Sequence, residues 1–172
     1  MRRHSSTGLK SLKFIVDGML GKVTRWLRML GYDVEYSNNF NDAELIRLAK
    51  KEKRILLTRD FELYQQATSK GIDVFYLEGE SEAEKLAQLA QRFKINLDID
   101  MKKSRCPKCN TRVKSIPKEE AAGKIQKRTL ANYNYFWECP KCKQVYWQGA
   151  HWRNISETLK SAEEILEEMR KK

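Results

Sequence analysis

The chain holds 172 residues, 41% hydrophobic and 33% charged, which fits one globular domain with room for a small appendage and excludes a disordered protein. Its formal net charge of +11 points to a polyanionic partner. No run approaches the roughly 18 apolar residues needed to span a bilayer, so a membrane-spanning class is set aside.

The charge is uneven along the chain. Residues 1–100 carry 17 Lys and Arg against 15 Asp and Glu, whereas residues 101–172 carry 17 against 8, so the basic character belongs to the C-terminal part. Residues 1–12 read as a basic N-terminal arm. Only three apolar residues separate Lys13 from Asp17, too few for a secretory segment, and a soluble cytoplasmic protein is the expectation.

The run from Lys13 to Asp17 is a short apolar strand that ends on a carboxylate. Leu20, Val23, Leu27 and Leu30 then recur at helical spacing, with Gly31 placed as the left-handed residue that closes the helix. Residues 32–37 alternate as a half-exposed strand, residues 38–41 form a loop, and a helix is expected over 42–51. Residues 55–58 make a third strand leading to Asp60, which opens a helix closing at Gly71, and residues 73–77 make a fourth. Ser81 and Glu84 carry a capping-box signature for a helix over 82–93. Strands alternating with helices predict an α/β fold with parallel strands in a three-layer, Rossmann-like arrangement.

Sites in open parallel sheets form at the carboxyl ends of the strands. The acids expected there are Asp17, Asp42 and Asp60, with Glu44 and Glu62 as candidates for a fourth. Converging carboxylates suit Mg²⁺ or Mn²⁺, hard cations that prefer oxygen ligands and bridge to phosphates. Each acid also has an ordinary role open to it. Asp42 and Asp60 sit where helices begin and can be caps, Asp17 beside Gly18 can be a turn residue, and Glu44 and Glu62 complement a helix dipole.

Cys106, Cys109, Cys139 and Cys142 form two Cys-x-x-Cys knuckles separated by residues 110–138, a pattern that holds structural Zn²⁺ in a closed site of four sulfurs. Residues 114–127 are expected to be an exposed basic excursion. Residues 101–153 hold 13 Lys and Arg against 3 Glu, interleaved with Tyr133, Tyr135, Phe136, Trp137, Tyr146, Trp147 and Trp152. Cations beside aromatics are the ingredients of a single-stranded RNA surface, although about half of these rings are needed for the ribbon's own core. Candidate RNA contacts are Arg25, Arg28, Arg59, Lys124, Lys127, Arg128, His151 and Trp152. Residues 155–171 read as an amphipathic helix that docks on the main domain. The expected segments are thus 1–12, 13–100, 101–153 and 154–172.

Val16-Asp17, the strings RWLRMLGYDV (25–34), NDAELIRLA (41–49) and RILLTRD (54–60), the ribbon, and YWQGAHW (146–152) together resemble the PIN-like RNase domain found at the C-terminus of Mut-seven type exonucleases and in stand-alone relatives. The resemblance covers about residues 13–155. It implies a PIN-like fold and a metal-dependent ribonuclease site with Asp17, Asp42 and Asp60 at the acidic positions, and it places a His-Trp pair at 151–152. PIN nucleases usually assemble four acids, and the sequence does not place the fourth. Two readings follow: an endoribonuclease, or a non-catalytic RNA- or ribosome-binding protein, with rRNA among the RNA partners considered. A phosphoacceptor receiver domain is disfavoured because Gly18 stands where a second acid would follow Asp17.

Overall fold

The computed structural model describes residues 11–172, and the expected basic arm lies almost wholly outside the described residues. Four strands, β1 (Lys13–Val16), β2 (Asp33–Tyr36), β3 (Ile55–Thr58) and β4 (Val74–Tyr76), form a parallel sheet in the order β2-β1-β3-β4. Helices α1 (Gly21–Met29), α2 (Asp42–Glu52) and α3 (Phe61–Ser69) make the crossovers that parallel neighbours require, and α4 (Glu82–Phe93) follows β4. Among the described residues, no helix is long and apolar enough to cross a membrane.

Alternation along the strands divides the core between the two faces of the sheet. Phe14, Val16, Ile55 and Leu57 point to one side and pack with Val23 and Leu27 of α1 and Leu86, Leu89 and Ala90 of α4. Ile15 and Leu56 point to the other, against Leu45, Ile46 and Ala49 of α2 and Leu63 and Ala67 of α3. All four residues of β3 are buried, as a central strand covered on both faces must be. Gly31, at φ +97°, ends α1 in a Schellman turn, with its N–H donating to the Arg28 carbonyl and that of Tyr32 to the Leu27 carbonyl.

The second sheet is small and antiparallel, in the order β5 (Lys114–Ile116), β6 (Phe136–Glu138), β7 (Val145–Tyr146). Residues 114–127 are mostly exposed, as expected from their charge, but they carry structure of their own. Helices α5 (Lys118–Ala121) and α6 (Lys127–Asn132) fold over the sheet, and Ala121, Phe136 and Val145 make a core of their own with Ile116, Ile125, Leu130, Tyr133 and Trp147 around it. The apolar residues between the lysines supply that core, which a count of charge alone overlooks. Helix α7 (His151–Lys171) starts four residues before the expected 155 and packs along α4 through Leu159, Ala162 and Leu166.

The first cysteine knuckle is tied to the outer edge of β2. Val34 donates its N–H to Asn110 Oδ1 at 3.0 Å, and its carbonyl accepts from Arg28 Nη2 at 2.8 Å and Nε at 3.1 Å. Arg28 Nη1 donates to the Pro107 carbonyl at 2.9 Å, so one guanidinium joins strand and knuckle. Asn110 Nδ2 and Arg54 Nη1 both donate to Asp33 Oδ1 at 2.8 Å. Burial works against the Asp33 charge, but these bonds and the Arg54 cation outweigh it and hold the carboxyl below the usual range.

Candidate active site and metal centre

Strand order reverses between β1 and β3, since the chain leaves β1 for β2 on one side and later returns to add β3 on the other. In open parallel sheets a switch point of this kind is where sites form, at the carboxyl edge. Asp17 follows β1 and Asp60 follows β3. The buried Thr58 hydroxyl links them, donating to Asp17 Oδ2 at 2.9 Å and accepting from the Asp60 N–H at 2.9 Å.

Asp60 is the N-cap of α3, and its Oδ1 accepts from the N–H groups of Glu62 and Leu63 at 2.9 and 3.2 Å. Only this oxygen is spent in the cap. Asp42 is not a cap, because Asn41 fills that position in a capping box closed by Glu44. Its carboxyl is therefore free of helix duties, and it is pushed above the ordinary aspartate value by partial desolvation and then by the charges of Asp60 and Asp17. Asp17 and Asp60 are thus joined through Thr58, and Asp42 feels the charge of both. Among the described residues, however, no trio of acids or histidines gathers closely enough to hold a metal ion. Glu44 is engaged by the Asn41 N–H, and Glu62 is exposed on the first turn of α3.

The turn after β4 brings two further acids near this edge that sequence reading did not weigh. Glu80 meets Arg59 at 3.6 Å, and Glu82 meets the buried Lys85 at 2.9 Å while its Oε2 is buried without a partner. Both line a cleft of about 610 Å³ with Gly18, Lys22, Arg25 and Tyr36. Their signal was positional, at the carboxyl end of the fourth strand.

The four cysteines converge as their spacing requires. All four Sγ atoms lie within 4.8 Å of one another, with Cys106–Cys142 at 3.6 Å and Cys109–Cys139 at 3.4 Å. These separations are too long for disulfides and close to the roughly 3.8 Å edge of a tetrahedron with Zn–S bonds of about 2.3 Å. The donor set therefore fits one closed Zn²⁺ site. Burial opposes the Cys109 charge, yet hydrogen bonding with Thr111 draws that thiol down to about 6, whereas burial pushes Cys139 up to about 12. The Tyr146 hydroxyl stands 3.0 Å from Cys106 Sγ and is placed to support a thiolate there.

A family model described as the Mut7-C RNAse domain matches residues 12–159. The chain belongs to the Mut7-C RNAse domain family. Comparison with curated proteins and with solved structures gives no match. Membership makes RNA the substrate class that the Mut7-C RNAse domain implies, and it spans sheet, ribbon and the start of α7 together.

Within this Mut7-C RNAse domain the expected RNA contacts separate into two groups. Arg25, Lys127, Arg128 and His151 are exposed, and Arg59 is half-buried beside Glu80. Lys124 is ion-paired to Glu138 and lines a cleft of about 680 Å³ on the ribbon with Lys143 and Trp147. Arg28 is 6% exposed with every guanidinium nitrogen engaged, so it serves the fold and does not face RNA. Trp152 is half-buried and lines an apolar cavity of about 100 Å³ with Met29, Ile99 and Ile155. Of the ribbon aromatics, Tyr135 stands out at 77% exposure, while Phe136 is buried and Trp137, Tyr146, Tyr133 and Trp147 pack on the two small cores.

Proposed function

We propose that this chain is a PIN-like, metal-dependent endoribonuclease whose acid edge cleaves RNA phosphodiester bonds. The observation that carries the reading is the buried Thr58 hydroxyl, which joins Asp17 and Asp60 across the switch point between β1 and β3, with the Asp42 carboxyl raised by desolvation and by their charges. Clustered like charges cost stability, and they are kept where a cation or chemistry uses them. Mg²⁺ is bound through one or two carboxylates with waters and substrate phosphates completing the shell, so the spread of these acids suits it or Mn²⁺. Either ion, when bound, supplies Lewis acidity to activate water and steady the leaving oxygen.

The chain's own residues do the rest. Thr58 fixes Asp17 from a fully buried position, so the carboxylate does not have to be ordered when substrate arrives. Capping ties Asp60 to the rigid start of α3 and leaves Oδ2 available. Arg25 and Lys22, on the exposed face of α1 beside Gly18, are placed to meet the RNA backbone, and Lys127 and Arg128 extend the cationic surface onto the ribbon. The Cys₄ centre has no open position and holds the ribbon's shape. This setting is a reducing, cytoplasmic one, in which thiols remain metal ligands.

A second reading, RNA binding without cleavage, draws support from Glu44, whose capping bond removes one candidate for a fourth acid. The two are separated by incubating purified protein with single-stranded RNA and with structured rRNA fragments in Mn²⁺ or Mg²⁺. Cleavage should occur and should be lost in Asp17→Asn and Asp60→Asn, with RNA affinity retained. Asn keeps the α3 cap, so the second variant should stay folded. Wild-type cleavage in both variants would refute the acid-edge assignment, and binding with no cleavage by the wild type would favour the second reading.

A further inference from the structure

Three aromatic rings at the β4 side of the acid edge serve no core. Phe61 stacks on Tyr64 with centroids 6.1 Å apart at 25°, and both meet Tyr76 edge-on at 6.0 and 5.9 Å. None of the three belongs to the four apolar clusters of the described residues. Tyr76 is the last residue of β4 and lies in register with Thr58, the residue that holds Asp17. Phe61 follows Asp60 directly and is 58% exposed. Among the described residues only Met19, at 73%, and Tyr135 are comparably exposed large hydrophobics, and Met19 stands two residues after Asp17. Two of the three most exposed large apolar side chains of the described residues thus border the acids, one on each side of the switch point.

A single exposed ring needs no explanation, but a mutually packed trio at the carboxyl edge that carries the acids does. A ring face of this kind is where an unstacked base is held, since every base offers a π-face and the contact tolerates sequence. Paired bases are already stacked and hide their faces, so such a platform favours single strands. Arg59, between Thr58 and Asp60, is half-buried and meets Glu80 at 3.6 Å, so a cation stands two residues before Phe61 in the chain.

We propose that Phe61, Tyr64 and Tyr76 form a stacking platform for an unpaired RNA base, and that this platform makes the acid edge selective for single-stranded substrate. The proposal rests on the RNA-cleaving reading for its substrate but is tested by binding alone. A dye-labelled polyuridine oligonucleotide and an RNA duplex of equal length are titrated with the full chain without added Mg²⁺ or Mn²⁺, comparing wild type, Phe61→Ala and Phe61→Trp.

Phe61→Ala should weaken polyuridine binding about tenfold, leave duplex binding unchanged and leave the melting temperature in place, while Phe61→Trp should restore affinity. A polyuridine affinity within about twofold of wild type in Phe61→Ala would overturn the platform, as would an equal loss for both RNAs. A change in self-association with unchanged RNA affinity would assign the rings to a protein contact and also overturn it. If the wild type cuts no RNA in Mn²⁺ while the Phe61-dependent preference holds, the catalytic reading fails and the platform stands.

Discussion

Replacing Arg28 with alanine is expected to destabilise the protein without changing its electrostatic grip on RNA. Sequence position alone paired Arg28 with Arg25 as a phosphate contact, but the structure spends the guanidinium on the carbonyls of Val34 and Pro107. Truncation leaves both carbonyls without their charged donor, at about 1–3 kcal/mol each, for a total near 3 kcal/mol. In a chain of this size 1 kcal/mol shifts the melting temperature by about 2–4 °C, so a drop of about 6–12 °C is expected by calorimetry. Arg28→Lys keeps the charge and loses the fork that joins strand to knuckle, and it should fall nearly as far. The companion measurement is the slope of log affinity for RNA against log salt. A lost phosphate contact lowers that slope by about 0.7, whereas a structural arginine leaves it unchanged. A melting temperature within about 2 °C of wild type together with a reduced slope would refute the assignment.

Asp42→Asn should raise the melting temperature of the Mg²⁺- and Mn²⁺-free protein at pH 7 and leave it unchanged near pH 3. The raised Asp42 value means the fold holds its proton better than the unfolded chain does, so stability falls as pH climbs through the raised value, and the amide removes that loss. Urea titrations at the two pH values provide the check, and a stabilisation equal at both would contradict it. The purified protein should hold one Zn²⁺ per chain by elemental analysis, with Cys109→Ser losing it and exposing the ribbon, residues 101–153, to protease. Retention of the metal in that variant would exclude the Cys₄ centre. Ala162→Leu, at a fully buried position against α4, should cost about 1–3 kcal/mol by overpacking, and a neutral result would show that α7 yields at that contact.

Where one physical rule governs a segment, the sequence discloses it. Strands β1 and β3 announce themselves as unbroken apolar runs because they are covered on both faces, and α4 is bounded as its Ser81–Glu84 signature requires. The cysteine knuckles are equally legible, since four thiols at that spacing have few other uses. Where two rules compete, the sequence is silent. Asn41 and Asp42 are both good caps, and only the structure shows that Asn41 takes the role and releases Asp42. Arg25 and Arg28 have identical chemistry, and burial against a partner 79 residues away separates them. The aromatics of the ribbon looked like a stacking surface because their competing use, two small cores around a metal and beneath α5 and α6, depends on contacts that no local pattern encodes. The trio at the acid edge went unweighed for the converse reason. Phe61, Tyr64 and Tyr76 come from two elements and meet only through the β3–β4 pairing.

The bonds around Val34 have a further consequence. A strand at the border of a sheet offers unpaired backbone groups to any other strand that drifts past, and proteins that leave such a border open tend to associate through it. In this fold both main-chain groups of Val34 are occupied, one by Asn110 and one by Arg28, and Asn110 stands directly after a cysteine of the knuckle. A metal ion held by the four cysteines would not touch the sheet, yet by fixing Asn110 it would help to keep that border closed. Chains stripped of the metal should then be lost first to clumping through β2, while their parallel sheet is still intact.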